Sequence, residues 1–472
     1  MYERESPAEK KAVLIQRVAA CLVFGLAFFA FKSSAGASTP TVLYNFCSVS
    51  GCLDGADPVG DLVQDENGNL FGTTATGGTS NLGTVFALCA PGATAPPICV
   101  GFGTWTETVL YSFTGASGDG ATPLAGLVYD QTSETLYGTT SAGGAGSCTG
   151  GCGIIFSIIS NGGAITVLHA FGGGSDGATP KAELLADGLG DFFGTTSAGG
   201  GGSCSGGCGT AFVVNSGSSK YSEIHSFLGS KDGANPVAGL VFDSEGNLWG
   251  SAQSGGTKNF GTIFELTTGG AIKYVRSFKG KADGANPSAP LAFDSGVGAL
   301  GTLYGTTRQG GKMTCAGGCG TVFELQPQPG AATYKNIYKF TGAGAKESGA
   351  APMARLSIEE ASPTHKDHLY GTTSQGGINT GSCPADGCGT SFEICPPTIS
   401  CTLFKGEQTL FYFDGTNGEN PAAGILLDFS DPVLRVEEDR PPGGRGMCTT
   451  NCVTTGQNGG SNGDGVVVEL TE

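Results

Sequence analysis

One phrase returns seven times along this chain: roughly Asp-Gly-Ala-x-Pro, a short apolar run, Tyr-Gly-Thr-Thr, Gly-Gly, then Gly-Thr-Val-Phe. The third element is the clearest marker. It reads Leu70-Phe71-Gly72-Thr73-Thr74, Leu136-Tyr137-Gly138-Thr139-Thr140, Phe192-Phe193-Gly194-Thr195-Thr196, Leu248-Trp249-Gly250-Ser251-Ala252, Leu303-Tyr304-Gly305-Thr306-Thr307 and Leu369-Tyr370-Gly371-Thr372-Thr373, with a worn last copy at Cys452-Val453-Thr454-Thr455. A fixed period of roughly 55–66 residues is the signature of a repeat architecture. In such folds each unit buries its apolar face against its neighbours.

Each copy holds four strand-like runs. In the second copy these are residues 125–129 after Pro123, residues 136–140, residues 153–158 and residues 165–171, separated by polar or glycine-rich turns. Four short antiparallel strands repeated radially describe a β-propeller blade, so the expectation is an all-β, seven-bladed propeller spanning residues 38–472 as a single domain. The first run is the least polar and is expected innermost. The run 42–46 matches the fourth strand of the other copies, and the run 466–470 matches the third. One blade therefore draws its outer strand from the N-terminus and three strands from the C-terminus, which closes the ring without an open edge. Alternating strand direction puts the Asp-Gly-Ala-x-Pro turns and the Gly-Gly loops on one face.

The 84 glycines among 472 residues are more than twice the usual share of about 7%. They fall at fixed places beside β-branched and aromatic residues, which reads as tight turns rather than disorder. A net charge of −17 argues against nucleic acid, whose phosphates need a basic surface. At the N-terminus, Lys10, Lys11 and Arg17 precede an apolar run at 18–31, and Ala35-Gly36-Ala37 offers a cleavage site before Ser38. Residues 1–37 read as a signal peptide, the alternative being an uncleaved anchor. The mature chain shows no further apolar span. Of 17 cysteines, Cys21 lies in the apolar run, and the other 16 fall into eight local pairs. These are Cys47/Cys52, Cys89/Cys99, Cys148/Cys152, Cys204/Cys208, Cys315/Cys319, Cys383/Cys388, Cys395/Cys401 and Cys448/Cys452. Even counts in an exported chain point to disulfides, and no pair has zinc-knuckle spacing with a matching partner.

The recurring Tyr-Gly-Thr-Thr, Gly-Gly and Gly-Thr-Val-Phe phrases resemble the glycine-rich tandem repeat of exported bacterial proteins called GloVer repeats, whose members are described as choice-of-anchor. The resemblance covers about residues 41–470 and carries no catalytic residues with it. The chain stops at Glu472, where such members continue into a sorting tail, so an anchor is not expected. The order of apolar strand, Asp, Gly-Asn and aromatic strand is also similar to the NHL propeller repeat.

Asp54, Asp119, Asp176, Asp232 and Asp283 share one repeat position, with Ser348 and Asn417 in the last two copies. They read either as a ring of oxygen ligands for calcium or sugar hydroxyls, or as turn residues, since Asp before Gly makes an Asx-type turn. The Gly-Gly loops carry cysteine pairs where they are longer, which reads as stapling of a glycine-rich loop or as a rigid binding rim. His169 and His225 replace the tyrosines of other outer strands. His365 and His368 flank a polar turn. Gly-x-Ser-x-Gly at 173–177 and 459–463 lacks the strand-to-helix turn of a nucleophile elbow. The charged insertion at 430–451 reads either as a partner contact or as a tolerated surface loop.

These features point to an exported, monomeric, non-catalytic propeller that binds a glycan or protein at the cell surface or envelope. The alternative is a propeller enzyme acting on polysaccharide or lactone substrates. Two convergent carboxylates and a raised pKa in the central channel would mark the enzyme.

Overall fold

The Tyr-Gly-Thr-Thr phrase forms the second strand of every blade, and each of its residues has a separate physical task. The computed structural model describes residues 39–471 apart from 117, 297, 299, 329–330, 343–347, 360–367, 378–382, 397–405, 416–418, 427–450 and 456–464. The glycine admits the phenylalanine of the third strand: a Cβ on Gly72, Gly138, Gly194, Gly250, Gly305 or Gly371 would lie 2.4–2.8 Å from that ring. The first threonine joins neighbouring blades. Thr73, Thr139, Thr195, Ser251 and Thr372 donate to the carbonyls of Ala125, Ala182, Ala238, Ala289 and Ala423, each in the next repeat. Blade five is the exception, since Thr306 Oγ1 has no hydrogen-bond partner among the described residues. The second threonine bonds across to the third strand, as in Thr74–Thr84 and Thr196–Thr210, both 2.8 Å.

Six antiparallel four-stranded blades result. Blade one comprises Val63–Gln64, Leu70–Thr76, Thr84–Cys89 and Thr106–Ser112, with Ala56–Pro58 as a short addition. Blade two comprises Val128–Asp130, Thr135–Thr140, Ile154–Ile159 and Thr166–Ala170; blade three, Leu185–Ala186, Asp191–Thr196, Thr210–Asn215 and Tyr221–Ser226. Blade four comprises Val241–Phe242, Leu248–Ala252, Thr262–Leu266 and Ile272–Ser277; blade five, Ala292–Asp294, Thr302–Thr307, Thr321–Gln328 and Ala331–Lys339. Blade six comprises Ser357–Glu359, His368–Thr373, Thr390–Cys395 and Gly406–Tyr412. The innermost strands are shorter than the sequence suggests. Small residues at their starts let adjacent repeats converge there, so a Cβ on Gly60 would lie 2.5 Å from Gly126 N, and only the distal residues join the ladder.

The expected count of seven complete blades is not met among the described residues. The remaining sheet has three strands, Thr39–Asn45, Val466–Thr471 and Asn451–Thr455 in that order. The run that would supply its innermost strand is described only as far as Leu426. The pairing of the two chain ends is nevertheless direct, with Val42 opposite Val468 and Asn45 opposite Val466. Thr39–Thr471 form one unit; the expected signal peptide at 1–37, Cys21 and the insertion at 430–450 lie outside the described residues.

The core is a chain of inter-blade aromatic contacts. The phenylalanine ending each outer strand meets the third-strand phenylalanine of the next blade, in the pairs Phe46–Phe86, Phe113–Phe156, Phe171–Phe212, Phe227–Phe264, Phe278–Phe323 and Phe340–Phe392, with centroids 4.9–5.7 Å apart. Burial stabilises each such ring by about 1.5–3 kcal/mol. Around the three-stranded sheet, Val467 packs with Phe46, Leu62 and Phe86, while Val466 and Val468 pack with Tyr370 and Phe413 of the other flank. Six of the expected disulfides are present, Cys47–Cys52, Cys89–Cys99, Cys148–Cys152, Cys204–Cys208, Cys315–Cys319 and Cys383–Cys388. Cys395 is also disulfide-bonded; its expected partner Cys401, and the pairing of Cys448 with Cys452, lie outside what is described. So many disulfides suit an oxidising compartment, periplasmic or extracellular. No helix of the described residues is long and apolar enough to cross a membrane.

Candidate functional site

Two sets of charged residues stand out, at two different repeat positions. The first is the acidic turns. Each leads from the outer strand of one repeat into the inner strand of the next, and each lies against the Gly-Gly loop of its own repeat, as where Gly120–Ala121 pairs with Ala142–Gly143. The residue before the proline is left-handed in all seven copies, with φ between 50° and 57° from Asp57 to Asn420. Asn and Asp tolerate this region better than most residues.

Every described turn carboxylate is occupied by local donors. Asp54 accepts from Tyr44 Oη, Ser48 N and Ser48 Oγ, all at 2.8 Å. Asp119 accepts from Thr114 N and its own neighbour Gly120 N. Asp176 accepts from His169 and Gly172 N, and Asp232 from His225 and Leu228 N. Asp283 accepts from Arg276 at 2.6 Å and Lys279 N at 2.8 Å. Ser348 plays the same part for Thr341 N, and Asn417 lies outside the described residues. The outer-strand partner thus alternates among Tyr, His and Arg, so His169 and His225 are turn partners as well as packing residues. His169 stacks on Tyr221 at 3.7 Å, and burial lowers its pKa against the pull of Asp176. The Asp232 carboxyl stays below its usual range although burial opposes this, because His225 and Leu228 N–H hold the anion. Among the described residues no three His, Cys, Asp or Glu side chains gather as metal ligands.

The remaining sequence candidates are scattered. His368 opens the second strand of blade six and bonds Glu393, while His365 lies outside the described residues. Ser175 of the 173–177 match sits exposed in a short 3-10 turn, Gly174–Asp176, and the 459–463 match lies outside the described residues.

The second set was not singled out by sequence reasoning. Asp61, Glu183 and Arg355 occupy one repeat position, three residues after the proline that opens the inner strand, where the other copies have Gly126, Gly239, Pro290 and Gly424. Blades one, three and six bring them together. Arg355 lies 3.6 Å from Asp61 and 3.5 Å from Glu183. Asp61 Oδ1 also accepts from Gly424 N at 2.6 Å, which fixes its carboxylate against the last repeat. The Arg355 side chain stays 43% exposed. Burial pushes the Glu183 carboxyl above its usual range against the pull of Arg355, and Glu183 in turn raises the Arg355 pKa. A cavity of about 340 Å³ runs from Asp61, Arg355 and Gly424 along the inner strands to Asp294, Ile358 and Leu426. The signal that could have found this set was available: three charges at a position otherwise held by glycine or proline, in a chain with only 14% charged residues.

No curated protein matches this sequence. Among solved structures, the chain is similar to a "putative 6-phosphogluconolactonase" from Bacteroides uniformis, at 15% identity and a TM-score of 0.44, covering 76% of this chain and 85% of that one. It is also similar to the GH74 enzyme of Niastella koreensis, at 16% identity and a TM-score of 0.40, covering 73% of this chain and 44% of that one. Neither likeness is close enough to bear on function. The Gloeobacter/Verrucomicrobia repeat family matches residues 27–208 and 201–434, nearly the whole repeat region. The resemblance carried by the Tyr-Gly-Thr-Thr and Gly-Gly phrases therefore holds, and the chain belongs to the Gloeobacter/Verrucomicrobia repeat family.

Proposed function

We propose that this protein is an exported, seven-bladed propeller that binds a small polar ligand in its central channel without transforming it, at the cell surface or envelope. The observation that carries the reading is the meeting of Asp61, Glu183 and Arg355 from three separate blades, with Asp61 and Arg355 lining a cavity and Glu183 standing behind Arg355. Ring closure is supported by the pairing of the two chain ends and by the contacts of that sheet with blades one and six. Export is supported by the disulfides and by the apolar N-terminal run.

The enzymatic reading has one observation in its favour, since Asp61 and Glu183 do converge and burial does raise Glu183. Arg355, however, lies 3.5 Å from Glu183 and pulls it toward its charged form, whereas a general acid must carry its proton. Binding fits this arrangement better. The test compares the wild type with a variant carrying Asp61→Gly, Glu183→Gly and Arg355→Gly, the residue other copies use there. Both are titrated with a panel of soluble oligosaccharides, peptides, amino acids and dicarboxylates. Binding that the variant loses, with no product released, is the expected outcome. Binding that survives in the variant, or turnover of any bound probe, overturns the proposal.

A further inference from the structure

We infer that the Asp61–Arg355–Glu183 cluster is a saccharide site that holds one neutral sugar unit by its hydroxyls. The inference rests on the channel-binding reading above and adds the class of ligand.

The first argument is the state of the polar groups. The pairs at 3.6 Å and 3.5 Å are ion pairs, too long to be hydrogen bonds. Among the described residues the Arg355 guanidinium makes no hydrogen bond, so its five N–H groups are available. Glu183 likewise accepts none from the described residues, and Asp61 keeps Oδ2 free of hydrogen bonds while Oδ1 takes Gly424 N. A fork of donors between two acceptors matches vicinal hydroxyls, each of which both donates and accepts.

The second argument is charge. Two carboxylates and one guanidinium leave the cluster between neutral and negative by one, since burial raises the Glu183 carboxyl, inside a chain of net charge −17. That field repels an anionic ligand. A cationic ligand would meet Arg355 between the two carboxylates. A neutral polyol avoids both penalties.

The third is shape. About 340 Å³ is near the lower end of the range for small-molecule sites, roughly 300–1,000 Å³, and suits one sugar ring rather than a peptide. Leu62, Phe293, Leu356 and Ile358 line its side and offer apolar surface to the C–H face of such a ring.

A purely structural account fits less well. Partly exposed ion pairs at this distance contribute little stability, and Gly126, Gly239 and Gly424 serve the fold at this position without a charge.

The test is a titration of the wild-type protein, followed by ligand-observed NMR, with methyl glucoside, methyl galactoside, methyl mannoside and methyl xyloside. Glucuronate and glucosamine serve as charged counterparts. At least one neutral glycoside is expected to bind, and its charged counterpart to bind at least about tenfold more weakly, a difference of about 1.4 kcal/mol. Glu183→Gln and Arg355→Lys should each weaken binding of the neutral glycoside by a similar factor. Glu183→Gln removes no hydrogen bond within the described residues, so its fold should be intact, and an unchanged melting temperature checks this. Preference for glucuronate or glucosamine, or neutral binding untouched by both variants, overturns the inference. An amino acid, dicarboxylate or peptide that binds in an Arg355-dependent way overturns it too but leaves the channel reading standing. If no probe distinguishes the wild type from the triple glycine variant, both fall.

Discussion

The turn carboxylates and the inner-strand charges Asp61, Glu183 and Arg355 stand seven residues apart in the same repeat, yet they are built on opposite principles. Asp54, Asp119, Asp176, Asp232 and Asp283 recur because each repeat needs the same joint, and each is held by two or more donors within its own turn. Asp61, Glu183 and Arg355 do not recur, are paired only loosely, and meet from blades more than a hundred residues apart. In a repeat protein the recurring polar residue serves the fold, while the residue that breaks the pattern is free to serve a ligand. A buried acceptor with several donors is structural whatever its sign.

The largest effect expected from this contrast is on stability. Asp232→Ala leaves Leu228 N and His225 without their acceptor inside a buried turn, where an unsatisfied group costs about 1–3 kcal/mol. Its urea midpoint should fall accordingly. Glu183→Gln should change the stability by less than about 1 kcal/mol, because the pair it loses is partly exposed. Equal losses at the two sites would erase the distinction.

A pH effect of middling size separates the turns further. Glu107, on the outer strand of blade one, is pushed up to about 8 by burial and by the nearby Asp54, and its Oε1 has no hydrogen-bond partner. Tyr44, bonded to Asp54, is the other titratable group beside it, and burial raises its pKa as well. A carboxyl whose folded pKa lies above its unfolded one stabilises the fold while protonated. That contribution is present below about pH 4.5 and is lost as pH rises through about 8. Glu107→Gln should therefore stabilise the fold at pH 8.5 by on the order of 1–2 kcal/mol, seen as a raised thermal midpoint, and leave it nearly unchanged at pH 4. Parallel pH–stability curves for the two proteins would show that Glu107 is not the group responsible.

Much of the fold was legible because the repeat averages over local ambiguity. The second and third strands were placed well, since Tyr-Gly-Thr-Thr and Gly-Thr-Val-Phe fix their own register through Gly72 against Phe86 and Thr74 against Thr84. The pairing of residues 42–45 with 466–468 was read from matched phase alone. The inner strands were read too long, because apolar composition does not report that Gly60 and Gly126 are drawn out of the ladder by their contact. The partners of the turn carboxylates were missed. Tyr44, His169 and Arg276 share no property except a donor at similar reach, so a pattern of residue types hides the common hydrogen bond. The set Asp61, Glu183 and Arg355 is hidden for the opposite reason: its residues do not recur, so no periodicity marks them.

The smallest expected effect is none at all, and it bears on calcium. Calcium takes six to eight oxygens at about 2.3–2.6 Å. Asp54 Oδ2 already accepts from Tyr44, Ser48 N and Ser48 Oγ, so an ion placed there would face hydrogen-bond donors rather than oxygen lone pairs. Asp176 uses both oxygens on His169 and one on Gly172 N. Excess EDTA should therefore leave the melting curve where it is, whereas an ion bound only to the native state would stabilise by mass action and its removal would lower the midpoint. Asp176→Asn supplies a control with a sign. If the turn is only a joint, the Asn oxygen still accepts from Gly172 N and its amide can donate to the neutral His169 ring, so the variant loses less than about 1 kcal/mol with or without chelator. If calcium is held there, the loss should appear only when the ion is present. A midpoint that falls on chelation in the wild type, and no longer falls in Asp176→Asn, would turn these structural carboxylates into ligands and dissolve the contrast with Asp61, Glu183 and Arg355.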